Sequence, residues 1–171
     1  MDHNPVMDMN WYAVRTRSRH EKSVTRQLQE RGIATFLPLM TQLRRWSDRR
    51  KLVQFPLFPG YAFVRMAYEP SSRLTVLQTD GVVHFVGTHG HGIPIPEEQI
   101  EAIQTLLRND VPIENHPYLK IGQRVRLRGG SLEGMEGMLV ARKGHQMLVI
   151  SVELIQRSLA IQVDGYDVEP A

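Results

Sequence analysis

A proline-rich turn runs directly into a strand pattern in the segment Phe55-Pro56-Leu57-Phe58-Pro59-Gly60-Tyr61-Ala62-Phe63-Val64-Arg65-Met66. Pro56 and Pro59 fix their own φ angles and push the residue before each of them toward extended geometry. Gly60 permits the corner at which the chain enters the strand. The aromatic and β-branched residues that follow are typical of a strand. We therefore predict a tight turn followed by a short strand from Tyr61.

Alternation along this strand predicts two faces of different chemistry. The small and aliphatic side chains point one way: Ala62, Val64 and Met66. Two aromatic rings and a guanidinium point the other way: Tyr61, Phe63 and Arg65. The first set is typical of a core, and the second has the composition of a docking surface. The alternative is that both faces are covered, one by a helix and one by another sheet.

The residues from Leu57 to Val64 resemble the signature strand of the NusG/RfaH family of transcription elongation factors. In that family, the N-terminal domain grips the clamp helices of the largest RNA polymerase subunit through a hydrophobic pocket. The resemblance implies that Tyr61 and Phe63 line this pocket and that Phe58 supports it. This form of the strand and the short linker described below resemble the specialised antiterminator branch more than the housekeeping factor.

The composition excludes several classes of protein. The 171 residues include no cysteine, so a disulfide framework and a thiolate metal site are both ruled out. No apolar run has the length of a membrane span, and the polar N-terminus is unlike a signal peptide. His89 and His91 lack a third ligand at a plausible spacing, so we expect neither a metal nor a cofactor. The sequence predicts a soluble, cytoplasmic monomer with a disordered lead-in over residues 1–9.

Positive charge is concentrated in one part of the chain. From Arg15 to Lys51 there are eleven Lys and Arg residues against three acids, a net charge of +8. Such a segment is typical of contact with a polyanion, although a solvated basic surface is the alternative. Around Trp46, arginines could hold phosphates while the ring stacks on a base; the alternative is a flexible, solvated tip. The nucleic-acid candidates there are Arg44, Arg45, Trp46, Arg49 and Arg50.

Further candidates for reading DNA follow from charge and position alone. They are Arg15, Arg17, Arg19, His20 and Arg73. In the NusG/RfaH family the hairpin tip lies near the upstream DNA and the non-template strand, so the resemblance implies DNA as a partner.

Residues 10–108 resemble the N-terminal domain of the NusG family, and the resemblance implies an antiparallel-sheet α/β sandwich. A strand at 11–14 precedes Ser18 and Glu21, whose spacing is that of a capping box. This box predicts a helix to about Arg31, with Val24 and Leu28 buried, ended by Gly32. An extended segment at 34–45, a helix at 71–78 and a strand at 82–87 follow. A final helix opens at Glu97, and its apolar positions are Ile100, Ile103, Leu106 and Leu107.

After a linker at 109–117, residues 118–171 show only strand patterns. Strands are predicted at 121–128, 138–142, 147–153, 158–163 and 166–168, joined by tight turns, which is typical of a small barrel. The fold class is therefore α+β, an α/β sandwich followed by a β-barrel. The barrel resembles a KOW domain through Gly122, Val125, Leu127, Gly130, Leu132, Gly134 and Gly137.

The KOW resemblance implies a protein partner, either a small ribosomal subunit protein or the Rho terminator. The contact surface carried over to this chain comprises Leu154, Ile155 and Arg157. The alternative is that Leu154 and Ile155 cap the core of the barrel. Some specialised relatives refold this domain into a helical hairpin, but the β-branched residues and glycines here favour a barrel as the ground state.

Binding rather than catalysis is the predicted activity. The chain has no phosphate-binding loop and no convincing acid–base group. The first hypothesis is a transcription elongation and antitermination factor that binds the RNA polymerase clamp helices and suppresses pausing or termination. The alternative is a ribosome- or RNA-binding KOW protein without RNA polymerase contact.

Overall fold

The computed structural model describes residues 8–171. It divides into two compact units, one ending at Ile95 and one spanning Pro96–Ala171. The α+β class predicted from the sequence, an antiparallel α/β unit followed by a β domain, is confirmed. Residues 1–7 of the predicted lead-in lie outside the described residues, and Met9 already belongs to the first strand.

The first unit is built on a four-stranded antiparallel sheet with strand order β2-β5-β1-β6. Two separate hairpins, β3–β4 and β7–β8, extend from it. The elements are β1 (Met9–Thr16), α1 (Glu21–Glu30), β2 (Ala34–Phe36), β3 (Leu39–Arg45), β4 (Arg50–Pro56), β5 (Tyr61–Ala67), α2 (Pro70–Leu77), β6 (Val82–Phe85), β7 (Gly87–Thr88) and β8 (His91–Gly92).

One face of this sheet forms the core with helices α1 and α2. Val24 and Leu28 of α1 are fully buried, as their helical spacing predicts. They pack in one cluster with Val64 and Met66 of β5, so the predicted core face of that strand is confirmed. The other members of the cluster are Tyr12, Val14, Val76 and Phe85.

The predicted capping box at the start of α1 is wrong. The helix begins at Glu21, and no side chain caps its first turn. The Ser18 carbonyl oxygen instead lies 2.9 Å from Nδ1 of His20. The helix ends as predicted, because Gly32 has a φ angle of +80°. The Ile33 N–H then donates to the Leu28 carbonyl at 3.0 Å, which closes the last turn.

The extended segment predicted at 34–45 is two strands rather than one. Strand β2 pairs with β5 in the main sheet, whereas β3 pairs with β4 in a separate hairpin. Pro38 lies between them, is buried, and accepts a 2.8 Å hydrogen bond from the Leu57 N–H. Because proline has no N–H to donate, the ladder breaks at this residue and the chain changes direction.

The second unit is a six-stranded antiparallel sheet with one helix. The strand order is β14-β10-β11-β12-β13-β9. Its elements are α3 (Glu97–Arg108), β9 (Glu114–His116), β10 (Gln123–Arg128), β11 (Glu136–Arg142), β12 (His145–Val152), a 3-10 turn (Glu153–Ile155), β13 (Arg157–Gln162) and β14 (Asp167–Pro170). All five strands predicted in this region are present within a few residues of their predicted limits.

The segment predicted as a linker contributes a strand to this sheet. Within residues 109–117, β9 pairs antiparallel with the edge of β13. The Arg142 guanidinium holds the Glu114 carboxylate at 3.0 Å. Short polar segments can join a sheet in this way because an edge strand leaves backbone N–H and C=O groups unpaired.

Helix α3 buries the apolar stripe that its spacing predicts. Ile100, Ile103 and Leu106 have no exposed surface. Leu106 packs in the same cluster as Val125 and Leu127 of the barrel. Helix α3 therefore belongs to the second unit of the structure. The domain limits predicted from the sequence, 10–108 and 118–171, place this helix in the first domain instead. Those limits stay a prediction. No helix within residues 8–171 is long and apolar enough to cross a membrane.

The three arginines of β10 are all paired with glutamates. Arg124 lies 3.3 Å from Glu136, and Arg128 lies 2.6 Å from Glu169 and 3.1 Å from Glu133. The remaining arginine of β10, Arg126, contacts both Glu136 and Glu169. Hydrogen bonds from these guanidinium groups hold the pKa of the Glu136 and Glu169 carboxyls below their usual range.

These lowered pKa values predict that the barrel loses stability in acid. A carboxyl whose pKa is lower in the folded state stabilises the fold above its unfolded pKa. That contribution is lost as the pH falls below the usual value of 4.5 and through the folded pKa. The free energy of unfolding, measured by urea denaturation across this range, should therefore fall less steeply in Glu169→Gln than in the unmodified protein.

Glu153→Gln is the matched control, because Glu153 is exposed and forms no ion pair within residues 8–171. It should leave the pH dependence unchanged. If the free energy of unfolding falls equally steeply with pH in Glu169→Gln and in the unmodified protein, the arginine–glutamate pairs do not support the barrel.

Candidate functional site

The turn before β5 is held by hydrogen bonds on both sides of Gly60. Its N–H donates to Oε1 of Glu21 at 2.8 Å, and its carbonyl accepts from the Thr16 N–H at 2.8 Å. Glu21 is only 6% exposed. It is also the first residue of α1, where the positive end of the helix dipole favours a carboxylate. One turn thus ties together β1, α1 and β5.

Arg15 lies against the same turn and limits what can replace Gly60. The φ angle of Gly60 is +86°, which disfavours any residue with a Cβ. A Cβ built there would lie 2.7 Å from Nη1 of Arg15. The same guanidinium sits 4.8 Å from the centre of the Tyr61 ring, within the range of a cation–π contact. Glycine is therefore required at position 60 both by the positive φ angle and by the close approach of Arg15.

The aromatic face of β5 is partly covered. Phe63 has no exposed surface, and Phe58 is 3% exposed. The Phe63 ring packs on Phe36 with the ring centres 6.2 Å apart and meets the edge of Phe58 at 6.0 Å. Tyr61 is half-buried and Arg65 is exposed. Of the two alternatives for this face, the covered one applies to Phe63 and the open one to Tyr61 and Arg65.

Sequence reasoning missed three residues that shape this face: Arg15 against Tyr61, Glu21 beneath the turn, and Phe36 against Phe63. Phe36 is opposite Phe63 because β2 pairs with β5 in that register. Arg15 is opposite Tyr61 because β1 pairs with β5. No local pattern carries this information, since both contacts depend on which strands become neighbours.

The predicted DNA-reading residues of the first unit are in two kinds of environment. Arg17 and Arg19 are exposed in the β1–α1 connection, and His20 beside them is half-buried. Arg15 and Arg73 instead lie over tyrosine rings. The Arg73 guanidinium is 4.9 Å from the centre of the Tyr68 ring, and its buried Nε has no hydrogen-bond partner within residues 8–171.

The basic tip predicted around Trp46 is the turn of the β3–β4 hairpin. Every residue from Thr41 to Leu52 is exposed. The turn is closed by the Trp46 N–H, which donates to the Arg49 carbonyl at 2.8 Å. The Arg49 guanidinium lies 5.8 Å from the centre of the Trp46 ring. Arg44, Arg45, Trp46, Arg49 and Arg50 are thus brought together on one exposed hairpin.

The barrel residues predicted to bind a partner lie at and just after the 3-10 turn. Ile155 is 4% exposed, Leu154 is half-buried, and Arg157 is exposed. The Arg157 guanidinium donates to the carbonyl oxygens of Ile155 at 3.4 Å and Gln156 at 3.1 Å. The alternative in which the apolar pair caps the barrel therefore applies to Ile155, whereas Leu154 and Arg157 retain accessible surface.

Comparing two glycines tests the constraint at the turn. Gly32 also has a positive φ, but a Cβ there meets nothing within 4 Å. Gly32→Ala should cost about 1–2 kcal/mol of unfolding free energy for the backbone alone. Gly60→Ala should cost about 0.5–1 kcal/mol more, because it displaces Arg15 from the Tyr61 ring. Urea denaturation of both variants measures the difference.

Repeating both substitutions in an Arg15→Ala background supplies the control. The extra cost at Gly60 should then disappear. An undiminished difference would show that Arg15 does not constrain the turn.

Comparisons with known proteins agree with this architecture. The family profile described as "Transcription termination factor nusG" matches residues 9–104, more than half of the chain. The chain is 27% identical to the transcription termination/antitermination protein NusG of Lactococcus lactis subsp. lactis, covering 98% of this chain and 97% of that protein. The corresponding protein of Halalkalibacterium halodurans is 25% identical, covering 95% of this chain and 99% of that protein.

The fold is also that of a known structure. The solved structure of Thermotoga maritima NusG matches with a TM-score of 0.57 at 22% identity, covering 96% of this chain and 98% of that one. The profile match includes β1, α1 and β5, which together hold the turn at Gly60. On this evidence the chain belongs to the NusG family.

Proposed function

We propose that this protein is a transcription elongation and antitermination factor that acts by binding and performs no catalysis. The observation that carries the proposal is the family match over residues 9–104, which includes the whole of β5. The relatives that align over nearly their full length are named transcription termination/antitermination proteins. That the chain belongs to the specialised antiterminator branch stays a prediction.

The proposed contact with RNA polymerase is centred on Tyr61. Its partly exposed ring lies 4.8 Å from the Arg15 guanidinium, and Phe63, two residues further along the same strand, packs against Phe58 and Phe36. An aromatic side chain held in this way is the kind that dominates protein interfaces. We assign the clamp helices of the largest polymerase subunit as its partner. A protein that binds the elongating state more tightly than the paused state shifts the equilibrium toward elongation.

The proposed second contact is with upstream or non-template DNA. Arg17 and Arg19 in the β1–α1 connection and the arginines of the β3–β4 hairpin are exposed, so phosphates can reach them. The guanidinium groups of Arg15 and Arg73 lie over tyrosine rings. We therefore assign these two arginines a role in ordering the surface rather than in contacting phosphates.

The proposed third contact lies on the barrel. A small ribosomal subunit protein or Rho would meet Leu154 and Arg157, while the buried Ile155 anchors the turn that presents them. The hydrogen bonds from Arg157 to the backbone of this turn would fix its shape before a partner arrives.

The exposed basic hairpin favours a second candidate function, that of a ribosome- or RNA-binding protein without RNA polymerase contact. Such binding is chiefly electrostatic and weakens steeply with salt. It would not depend on Tyr61.

A Tyr61→Ala variant separates these functions. Purified RNA polymerase should bind the variant about tenfold or more weakly than the unmodified protein, because an interface aromatic is lost. Ile121→Ala is the matched control, since it removes an apolar side chain that is 84% exposed in the second unit. Binding is measured by surface plasmon resonance at two salt concentrations.

Phe63→Ala is unsuitable for this test. Removing a fully buried ring should cost about 3–5 kcal/mol of folding stability, so weakened binding would have two explanations. If Tyr61→Ala binds polymerase as tightly as the unmodified protein, the polymerase-binding surface is wrong. If the affinity for RNA polymerase also falls steeply as the salt concentration rises, the second candidate function is favoured.

A further inference from the structure

Residues 114–119, the strap, run along one edge of the barrel sheet. They include β9, which is the terminal strand of that sheet and pairs with β13, with Glu114 opposite Ala160. Just beyond β9, the Leu119 N–H donates to the hydroxyl of Ser158 at 3.4 Å. The strap therefore covers backbone groups of β13 that would otherwise be unpaired.

An apolar patch lies under the strap, on the outer face of the barrel. Met147, Val149 and Ala160 form a separate cluster there, and each is at most 5% exposed. Leu148, between the first two, belongs to the interior cluster instead, because successive strand residues point to opposite faces. Leu119 of the strap packs against the outer cluster. Release of the strap would expose the part of this patch that Leu119 covers, together with the edge of β13.

The strap is attached by few contacts. Its strand β9 is three residues long. Pro117 follows that strand directly and has no N–H, so the ladder does not continue. The ion pair of Glu114 with Arg142 joins side chains that are 57% and 43% exposed, so solvent screens it and it stabilises the strap little. Elements held by few buried contacts open at a lower free energy than the fold as a whole.

The covered edge begins beside the surface that we propose for a protein partner. Strand β13 starts at Arg157, and His116 of the strap lies opposite the next residue, Ser158. Leu154 belongs to the 3-10 turn just before this strand. A free strand edge offers N–H and C=O groups to an extended segment of another chain. The strap occupies the position that such a segment would take.

We propose that the strap is a releasable cover that regulates partner binding by the barrel. It opens while the barrel stays folded, and a protein partner at Leu154 and Arg157 competes with it for the edge of β13. The apparent affinity of the partner then falls with the fraction of molecules in which the strap is open. The proposal rests on the third contact of the proposed function for its partner, but opening of the strap is tested without one.

Thiol labelling measures the opening. The chain has no cysteine, so Ala160→Cys places a single thiol beneath the strap. Its rate of reaction with DTNB should change little with urea below the unfolding transition, because opening of the strap exposes little surface. Adding Leu119→Ala should raise this rate about tenfold, because the substitution removes the apolar contact that holds the strap.

Val125→Cys is the matched control for labelling. Val125 is 1% exposed, belongs to the interior cluster, and lies on β10, which is not paired with β9. A thiol at this position should react only through unfolding of the barrel, so its rate should rise steeply with urea. The same urea dependence at positions 160 and 125, or an unchanged rate at position 160 in Leu119→Ala, would overturn the proposal.

A disulfide lock tests the competition. Residues directly opposite one another in an antiparallel ladder are close enough for a disulfide. Glu114→Cys/Ala160→Cys therefore ties the strap to β13 when it is oxidised. Purified small ribosomal subunits or purified Rho should bind the oxidised variant about tenfold or more weakly than the same variant after reduction, which is its own control. Equal affinity of the two forms would overturn the competition.

The two experiments separate the strap from the contact that it covers. If neither ribosomal subunits nor Rho bind the reduced variant or the unmodified protein, the third contact of the proposed function is wrong, and so is the competition. The labelling rates at positions 160 and 125 decide in either case whether the strap opens while the barrel stays folded.

Discussion

The hydrogen bond from the Gly60 N–H to the buried Glu21 carboxylate determines where β5 begins. With the Thr16 N–H holding the Gly60 carbonyl, it fixes a turn that no other residue type adopts without strain. Tyr61 then starts the strand directly opposite Arg15. Removing the carboxylate would leave a buried N–H without an acceptor, which is costly. The position of Tyr61 at the start of β5 therefore depends on Glu21, which is almost fully buried.

Positive side chains have different surroundings in the two units. In the barrel, each arginine of β10 is paired with a glutamate, and the pKa values of Glu136 and Glu169 are lowered by these contacts. In the β3–β4 hairpin, arginine and lysine lie opposite one another without such partners among the described residues. Paired charges support a fold, whereas unpaired ones on an exposed hairpin are available to phosphates. The paired arginines of β10 thus form a structural network, whereas the unpaired cations of the hairpin form the surface that we propose for nucleic acid.

Local patterns were sufficient to predict much of this architecture. Alternation identified the core face of β5, helical spacing identified the buried stripes of α1 and α3, and the glycine-rich turns identified the barrel strands. Contacts between distant residues were not predictable. Glu21 was assigned to a capping box with Ser18, but its carboxylate is used by Gly60, 39 residues away in sequence. The pairing of β9 with β13 and of Phe36 with Phe63 likewise requires knowing which strands are neighbours.

The proposed function depends most on contact between the surface at Tyr61 and RNA polymerase. Replacing Tyr61 with the photoreactive residue p-benzoylphenylalanine and irradiating the complex with purified polymerase tests that contact directly. We predict a cross-link to the largest polymerase subunit, mapped by mass spectrometry to its clamp helices, and none when the same residue replaces the exposed Ile121. A cross-link from position 121 but not from position 61, in folded proteins, would contradict the account.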